Sequence, residues 1–383
     1  MSDTPRPAPL GFGLMRLPRR ALGIDIAETC RMVDRFLAAG YSYFDTAHIY
    51  LGSEDAARKA LVSRHARESF TLTTKLHAGL APTAAAARKQ LETSLKRTGA
   101  GYFDYYLLHS VMESNAARYD RFGLWDFVAA QQAKGLIRRW AFSYHGGPEL
   151  LDRLLTEHPG AAFVQLQINY ADWENPSVQA RANYETARRH GVPVVIMEPV
   201  KGGALAAPPP EVRRLLEQAA PGASCASWAL RFAAGLEGVL AVLSGMSTPA
   251  QLEDNLATMA AFRPLDAGEQ RVIQQAQRLL GHSAAVPCTG CGYCAAGCPE
   301  GIAIPDLFAA ANLQLAQGRR AEAAAAWAET EAKAAPAARC IGCGRCEAAC
   351  PQHLPIPRLL KRCGGLFEPG RPAAAPAMKG DAP

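Results

Sequence analysis

The sequence lacks long hydrophobic runs: nowhere in its 383 residues do about 18 apolar side chains follow one another without interruption. We therefore expect no membrane segment and no membrane partner. The sequence also lacks a block of Lys and Arg interleaved with aromatic residues, although its formal net charge is +6, so we expect no nucleic-acid partner. The first ten residues, MSDTPRPAPL, have no apolar segment of the kind that export signals carry. These absences predict a cytoplasmic protein.

Cysteine is plentiful by contrast, and eight of its eleven copies fall into two runs. Each run has the pattern CxxCxxCxxxCP, at residues 288–299 and 340–351. Thiolates at this spacing can reach the iron corners of a [4Fe–4S] cube, and the small glycines between them let the backbone come close. Zinc is the alternative, because CxxC pairs also build tetrahedral zinc sites. Two quartets that each end in Cys-Pro favour iron–sulfur clusters, whose thiolates need a reducing compartment.

The two runs resemble those of two-cluster bacterial ferredoxins, in which the fourth cysteine of a run ligates the other cluster. The resemblance implies two [4Fe–4S] clusters, each held by three cysteines of one run and the last cysteine of the other. One ligand set is Cys288, Cys291, Cys294 and Cys350, and the other is Cys340, Cys343, Cys346 and Cys298. Helix-favouring segments at 307–315 and 321–335 predict that this module is mostly α-helical.

Upstream of the cysteines, from about residue 10 to residue 260, short apolar runs alternate with longer segments of helical periodicity. Eight such strand–helix units are present, and strands with few charges between helices predict a parallel sheet covered by helices. Eight units favour a closed (β/α)8 TIM barrel, an α/β fold. Periodicity alone leaves a doubly wound open sheet as the alternative.

These patterns divide the chain into four predicted segments. We expect a flexible N-terminus at 1–9, the barrel at 10–283, a small α-helical ferredoxin-like domain at 284–368 and a disordered tail, rich in Pro and Ala, at 369–383. A helix predicted over 264–284 leads from the barrel into the first cysteine run.

Four polar residues lie at or just after the ends of the second, third and fourth predicted strands: Asp45, Tyr50, Lys75 and His109. In a (β/α)8 barrel, this end of the strands carries the catalytic residues. The segments FDTAHIYLGSE, TLTTK and YYLLHS are similar in order and spacing to the signature of the aldo/keto reductase family, over about residues 10–262. The cysteine runs resemble the iron–sulfur tail of a subgroup of that family. The resemblance implies the closed barrel and an enzyme that transfers hydride between NADP(H) or NAD(H) and a small carbonyl or alcohol substrate.

By this resemblance, Tyr50 donates a proton to the carbonyl oxygen, Lys75 favours its phenolate form and Asp45 holds the lysine. His109 would orient the carbonyl. The resemblance also implies a set of nicotinamide-binding positions in the segments AFSYHG, QLQIN, VVIME and LSGMSTPAQLEDN. They are Ser143, Gln165, Asn169 and Met197 near the nicotinamide ring, and Ser247, Gln251, Asp254 and Asn255 near the adenosine phosphate.

Two functions stay open at this point. The first is a nicotinamide-dependent oxidoreductase whose clusters are either structural or serve a redox partner protein. Hydride carries two electrons, a cluster takes one at a time, and the chain has no flavin signature to mediate between them. The second is a redox-sensing or electron-transfer protein whose barrel holds nicotinamide as a ligand. The complete tetrad favours the first, because a sensor has no need for Tyr50 beside Lys75.

Overall fold

The computed structural model describes residues 9–21 and 23–367. The predicted flexible N-terminus, apart from residue 9, and the predicted disordered tail lie outside the described residues. Within the described ranges, no helix has both the length and the apolar composition needed to cross a membrane.

Eight parallel strands close into a barrel. In chain order the strands are β1 (Leu10–Gly13), β2 (Arg19–Arg20), β3 (Gly23–Ile24), β4 (Tyr43–Asp45), β5 (Thr71–Leu76), β6 (Phe103–Val111), β7 (Ile137–Tyr144), β8 (Val164–Gln167), β9 (Val194–Met197) and β10 (Val239–Ser244). The short β2 and β3 form an antiparallel hairpin, while the other strands pair in the order β1-β10-β9-β8-β7-β6-β5-β4 and β1 also pairs with β4. The predicted closed barrel is thus confirmed, and the open sheet is excluded.

Apolar side chains from the strands fill the inside of the barrel. One buried cluster comprises Leu107, Ala141, Phe163, Val195, Ala241 and Leu243, which belong to five different strands or their edges. Parallel strands buried on both faces are apolar along their whole length, which is why short continuous apolar runs located them in the sequence.

Sixteen α-helices are described. They are α1 (Ile26–Ala38), α2 (Ser53–Ala57), α3 (Ala84–Thr98), α4 (Ala116–Arg121), α5 (Leu124–Ala133), α6 (Pro148–Glu157), α7 (Ala180–Arg189), α8 (Pro210–Ala219), α9 (Cys225–Ala234), α10 (Pro249–Ala260), α11 (Ala267–Gly281), α12 (Tyr293–Ala296), α13 (Ile304–Leu315), α14 (Arg320–Lys333), α15 (Arg345–Ala348) and α16 (Ile356–Gly364). Single 3₁₀ turns occur at Leu14–Arg16, Arg67–Ser69, Ala78–Leu80, Lys201–Gly203 and Ala337–Arg339, and a π-helical turn at Arg58–Val62 continues α2.

Side-chain caps fix several helix starts. Thr83 precedes α3 and its hydroxyl accepts a hydrogen bond from the N–H of Ala86, while Gly99, at φ 65°, ends the same helix in the left-handed conformation. Thr248 caps α10 in the same way through the N–H of Gln251. The cap places the first turn of α10 directly after β10, at the carboxyl end of the barrel strands.

The chain folds as two compact units. The first comprises the described residues up to Pro199 together with Ala226–Leu265, and the second comprises Val200–Cys225 together with the described chain from Asp266 onward. The segment 200–225, here called the excursion, leaves the barrel after β9 and carries α8, which packs against α11. The second unit thus begins earlier than the domain predicted at 284–368, because the composition of the excursion and of α11 does not distinguish them from barrel segments.

The second unit is mostly helical, as predicted. Its core contains Ile304, Leu307 and Phe308 of α13, Trp327 of α14, and Leu360 of α16, all buried. Each cysteine run is a loop that contains one short helix, α12 or α15, and these two helices contact each other. The helical core therefore packs directly around the cysteines.

Candidate functional site

Strand ends bring the predicted tetrad together. Asp45 ends β4, Lys75 lies one residue before the end of β5, His109 lies in β6, and Tyr50 lies in the loop between β4 and α2. Lys75 Nζ donates to Asp45 Oδ1 at 2.5 Å and to the carbonyl oxygen of Thr46 at 2.8 Å. The side chains of Lys75 and Asp45 are only 1% and 5% exposed, so their charges face each other rather than water.

Tyr50 lies between the lysine and the histidine. Lys75 Nζ is 5.2 Å from the centroid of the Tyr50 ring, and the rings of Tyr50 and His109 meet edge to face, with centroids 5.6 Å apart and planes at 80°. The phenol is partly exposed, whereas His109 is buried. An ammonium, a phenol and an imidazole thus share one pocket, and of these three groups the phenol of Tyr50 is the one that is partly exposed.

Burial sets the charges in this pocket. Desolvation lowers the pKa of Lys75, and the neighbouring Asp45 carboxylate opposes that shift by favouring the ammonium. Desolvation also lowers the pKa of His109 well below its usual range, and the positive charge of Lys75 acts in the same direction. The imidazole is therefore neutral near pH 7, and a neutral imidazole carries one ring N–H.

His77 is a further member of the pocket that sequence reasoning missed. Its ring lies 5.5 Å from that of His109, centroid to centroid, and burial lowers its pKa to about 4. It follows Lys75 by two residues, so the period of two along an extended strand places both side chains on one face. The spacing of two residues between Lys75 and His77 could have indicated this position. The segment TLTTK, which resembles the family signature, ends at Lys75 and so does not include His77.

A buried carboxylate holds the loop that carries Tyr50. Glu54, which is 1% exposed, accepts hydrogen bonds from Thr74 Oγ1 at 2.8 Å and from Arg97 at 3.2 Å. Arg97 also donates to the carbonyl oxygen of His48 at 3.0 Å. These contacts tie the loop to β5 and α3, so the position of Tyr50 relative to Lys75 is fixed from two sides.

Ser143 lies one residue before the end of β7, and Gln165, its partner in the strand pairing, is the second of the four residues of β8. Both side chains are buried. Ser143 Oγ accepts a hydrogen bond of 2.7 Å from the N–H of Ser110, so its hydroxyl hydrogen remains to be donated. Gln165 Oε1 is buried and has no hydrogen-bond partner among the described residues. Because leaving a buried amide oxygen unpaired is costly, this atom suits a ligand N–H such as that of a carboxamide. Met197 ends β9 and is partly exposed.

Asn169 has a different environment from Gln165. Its Nδ2 donates to Asp172 Oδ2 at 2.8 Å and to the carbonyl oxygen of Glu198 at 3.1 Å, and its Oδ1 accepts from the N–H of Asp172 at 2.9 Å. These hydrogen bonds join the loop after β8 to the loop after β9. The observed contacts of Asn169 are thus within the protein.

The residues predicted to contact the adenosine phosphate lie around the start of α10. Gln251 Oε1 accepts from the N–H of Ser247 at 2.7 Å, and Ser247 Oγ donates to the carbonyl oxygen of Arg16 at 2.6 Å. Asn255 Nδ2 donates to Ser244 Oγ at 2.8 Å, and Asp254 is partly buried in α10. A helix N-terminus attracts phosphate through its N–H groups and dipole, although residues 247–255 contain no Lys or Arg.

An ion pair at the barrel rim was not predicted from the sequence. Arg16, just after β1, donates to Glu198, just after β9, at 3.1 Å. The two residues are 182 positions apart in the chain, so no local pattern could have paired them.

Four cysteines surround one cavity of the second unit. Cys288, Cys291, Cys294 and Cys350 line about 310 Å³ of atom-free space, part of it open to solvent. The other lining side chains, among them Thr289, Phe308 and Ile356, are uncharged. Burial raises the pKa of the Cys294 thiol, and the three neighbouring cysteines raise it further. Four cysteines that disfavour one another's thiolate forms suit a cationic centre that binds them as thiolates.

The other four cysteines surround a second cavity. Cys298, Cys340, Cys343 and Cys346 line about 320 Å³ of atom-free space, part of it open to solvent, together with Glu300 and Arg345 among others. Burial raises the pKa of Cys346 to about 11. The structure therefore groups the cysteines into the two quartets that the ferredoxin resemblance implies.

The backbone of the two runs has the same shape. Gly290 and Gly292 have φ values of 68° and 82°, and Gly342 and Gly344 have values of 68° and 72°. Left-handed glycines turn backbone N–H groups inward, and the N–H of Gly290 donates to Cys288 Sγ at 3.4 Å. Within the described residues, no three Cys, His, Asp or Glu side chains converge on a site for a single metal ion. The eight thiols instead line two separate cavities, four thiols to each.

Comparison with known proteins identifies both parts of the chain. The chain belongs to the aldo/keto reductase family, whose profile matches residues 9–278. It also carries a 4Fe-4S dicluster domain, matched at residues 287–354, which favours iron–sulfur chemistry over zinc. The family assignment and the presence of the iron–sulfur domain predicted from the sequence are thereby confirmed.

Individual relatives agree with this assignment. Aldo-keto reductase str7 of Strobilurus tenacellus is 29% identical over 215 residues, which are 51% of this chain and 59% of that protein. Methylglyoxal reductase DkgA of Yersinia pestis is 27% identical over 246 residues, which are 62% of this chain and 82% of that protein. The chain thus spans about three-fifths of the first relative's length.

Solved structures with the same barrel include two reductases. An aldo-keto reductase from Bacillus halodurans, in its holo form, has a TM-score of 0.56 and 25% identity, covering 70% of this chain and 91% of that one. An aldo-keto reductase from Klebsiella pneumoniae in complex with NADPH has a TM-score of 0.55 and 21% identity, covering 71% of this chain and 90% of that one.

Proposed function

We propose that the barrel catalyses nicotinamide-dependent reduction of a small carbonyl compound, or the reverse oxidation of an alcohol. The observation that carries this proposal is the buried Asp45–Lys75 pair, whose ammonium lies 5.2 Å from the ring of the partly exposed Tyr50. A purely structural ion pair has no need of a reachable phenol beside it. Similarity to a protein named methylglyoxal reductase supports a small carbonyl substrate.

Each tetrad residue has a distinct role in the proposed reaction. When bound, a reduced nicotinamide supplies the hydride that the carbonyl carbon accepts. Tyr50 donates its phenolic proton to the carbonyl oxygen, and the ammonium of Lys75 stabilises the phenolate left behind. Asp45 holds Lys75 in place through the 2.5 Å contact. The neutral imidazole of His109 donates its N–H to the carbonyl oxygen and fixes its direction.

The proposed nicotinamide contacts follow from the unused hydrogen-bonding groups. Gln165 Oε1 would accept from the carboxamide N–H, the Ser143 hydroxyl would donate to the carboxamide oxygen, and Met197 would pack against the ring. Ser247, Gln251, Asp254 and Asn255 would surround the adenosine phosphate at the start of α10, while Asn169 would support the site from the loop after β8. Both NADP(H) and NAD(H) are compatible with these residues, and the NADPH complex of a structural relative supports the former.

The second unit would hold two [4Fe–4S] clusters, one in each cysteine-lined cavity. Cys288, Cys291, Cys294 and Cys350 would ligate one, and Cys298, Cys340, Cys343 and Cys346 the other. Each cluster supplies one-electron chemistry when bound. Thiolate-bound iron persists in a reducing compartment, so we place the protein in the cytoplasm.

The decisive test is Tyr50→Phe in protein whose clusters have been reconstituted anaerobically. Removing the general acid should lower carbonyl turnover by about 10²–10⁴-fold while NADPH binding, followed by fluorescence titration, stays unchanged. Tyr102→Phe, which removes a phenol distant from the tetrad, serves as the matched control. Carbonyl turnover that survives Tyr50→Phe would contradict the proposed role, and the absence of turnover in the unmodified protein with nicotinamide still bound would favour the redox-sensing function.

A further inference from the structure

The two cysteine-lined cavities differ in their surroundings. Around the first, Cys294 and Cys350 are buried and the lining side chains carry no charge. Around the second, Cys343 is exposed, Ile341 is 64% exposed and Arg345 lines the cavity. The second quartet therefore reaches the protein surface, and an apolar side chain stands in solvent beside it.

The segment that contains the second cysteine run and α16 is basic. Residues 339–362 contain five basic side chains and a single acidic one, Glu347, whereas the first cysteine run at 288–299 contains no Lys or Arg. The five are Arg339, Arg345, Arg358, Lys361 and Arg362, and all of them are exposed. Arg339 pairs with Glu300 at 2.9 Å, which leaves the positive charges in excess.

Helix α16 presents much of this charge. Arg358, Lys361 and Arg362 have the spacing that places them on one face of a helix, and that face is exposed. The opposite face packs into the core through Ile356, Leu359, Leu360 and Cys363. Leu360 also lines the second cavity, and the turn Ala337–Arg339 contacts α16. The helix therefore flanks the exposed cysteine loop.

We propose that these residues form a docking surface for an acidic one-electron carrier protein. The surface, here called the basic face, consists of Ile341, Cys343, Arg345, Arg358, Lys361 and Arg362. An apolar contact within charges of one sign is typical of transient interfaces, in which the charges steer encounter and the apolar residue gives close fit. The sign of the charge selects an acidic partner.

The exposed thiol selects the kind of acidic partner. This inference rests on the proposal that Cys298, Cys340, Cys343 and Cys346 hold a cluster, for which Cys343 would be the ligand nearest to solvent. A cluster held by these four cysteines would accept one electron from the reduced carrier, which would thereby be oxidised, with no bond or proton moved. A nucleic acid would complement the positive charge, but its binding would not require the apolar side chain of Ile341 or the exposed Cys343.

The test uses the full-length protein with reconstituted clusters and an acidic flavodoxin as the probe. Binding would be measured by surface plasmon resonance at about 0.05 M and about 0.2 M salt, with a basic cytochrome c and a double-stranded oligonucleotide as comparison ligands. The variant Arg358→Glu/Lys361→Glu reverses two charges on α16. Arg213→Glu/Arg214→Glu, which reverses two charges on the exposed side of α8, is the matched control.

We expect the flavodoxin to bind at low salt and to lose about tenfold or more in affinity in the charge-reversed variant, but not in the control. A second variant, Ile341→Ser, should weaken binding at both salt concentrations without changing the salt dependence. Iron content, expected at about eight per chain, and turnover at Tyr50 should stay unchanged in every variant.

Three results would overturn the inference. They are flavodoxin that does not bind, equal binding to all variants, and tighter binding of the oligonucleotide that the same variants abolish. Failure of the underlying cluster proposal is separately visible, because the unmodified protein would then lack iron whether or not it bound the flavodoxin.

Discussion

At the scale of single residues, burial decides what the charged side chains near Tyr50 can do. Lys75 and Asp45 have almost no contact with water, so each keeps its charge only because the other is present. His109 and His77 are kept neutral by the same desolvation. The pocket therefore combines one fixed positive charge with neutral hydrogen-bond donors, which suits the stabilisation of a developing negative oxygen.

The mutual dependence of Lys75 and Asp45 can be tested by Lys75→Met. This change leaves the Asp45 carboxylate buried without its partner, so the free energy of unfolding should fall by about 3–5 kcal/mol and carbonyl turnover by at least about 10²-fold. Urea unfolding and steady-state kinetics measure the two effects. The double variant Asp45→Asn/Lys75→Met should regain much of the stability but none of the turnover. If Lys75→Met is as stable as the wild type, the two buried charges do not depend on each other.

His77 makes stability depend on pH. Its pKa is lowered from 6.5 to about 4 in the folded state, so the unfolded chain binds the proton more readily between these values. The contribution of His77 is fully present above pH 6.5 and is lost as pH falls towards 4. Between pH 7 and pH 5 we expect a loss of about 1–2 kcal/mol in the free energy of unfolding, followed by tryptophan fluorescence in urea. The His77→Gln variant should lose less over the same interval, whereas an identical loss in both proteins would contradict this role.

At the scale of elements, the loops after the strands set the positions of the reactive groups. Glu54 ties the Tyr50 loop to β5 and α3, and Asn169 ties the loop after β8 to the loop after β9. Thr248 fixes the first turn of α10, where N–H groups suited to phosphate meet the carboxyl end of the barrel. Residues 247–255 themselves include no Lys or Arg, and Gln251 Oε1 accepts from the N–H of Ser247 there.

A positive charge added at the start of α10 should therefore change the preference of the protein for NADPH over NADH. Gln251→Arg places a guanidinium where the 2′-phosphate of NADPH would lie, and one such contact should raise the preference for NADPH over NADH by about tenfold or more. Fluorescence titration with both nucleotides measures the ratio of dissociation constants. Gln251→Met, which also removes the hydrogen bond to Ser247 but adds no charge, is the control. An unchanged ratio in Gln251→Arg would place the phosphate elsewhere.

At the scale of the whole molecule, the sequence predicted those features whose residues are close together in the chain. Buried parallel strands gave continuous apolar runs, and Asp45, Lys75 and His109 could be proposed because each lies at or near the end of a strand. The Arg16–Glu198 pair could not be predicted, because its partners are 182 positions apart. The sequence did not assign the excursion to the second unit for another reason. Its composition is that of a barrel loop, and only the contacts in the folded chain place it in the second unit.

Within the second unit, the excursion meets the first cysteine run at very short range. Gly202 has φ 63°, and a Cβ at this position would lie 2.4 Å from the carbonyl oxygen of Thr289 and 2.8 Å from its Cα. Thr289 follows Cys288 and lines the same cavity. Backbone cannot retreat as a flexible side chain can, so only glycine fits here. Any loosening of the cysteine run should therefore also loosen the excursion, which continues directly from Met197 and Glu198.

Removal of iron should expose this connection. After chelation under reducing conditions, limited proteolysis read by mass spectrometry should cut within 200–225 and 285–367 but leave 9–199 intact, because the second unit loses the groups around which its small core packs. Nicotinamide affinity should fall with it by about tenfold, since only two residues separate the loosened excursion from Met197, a proposed nicotinamide contact. Gly202→Ala should reproduce both effects in protein that still contains iron, and Gly191→Ala, a change at another left-handed glycine with nothing near its Cβ position, should reproduce neither. If the excursion resists cleavage and nicotinamide binds unchanged after chelation, the excursion is held independently of the iron–sulfur module.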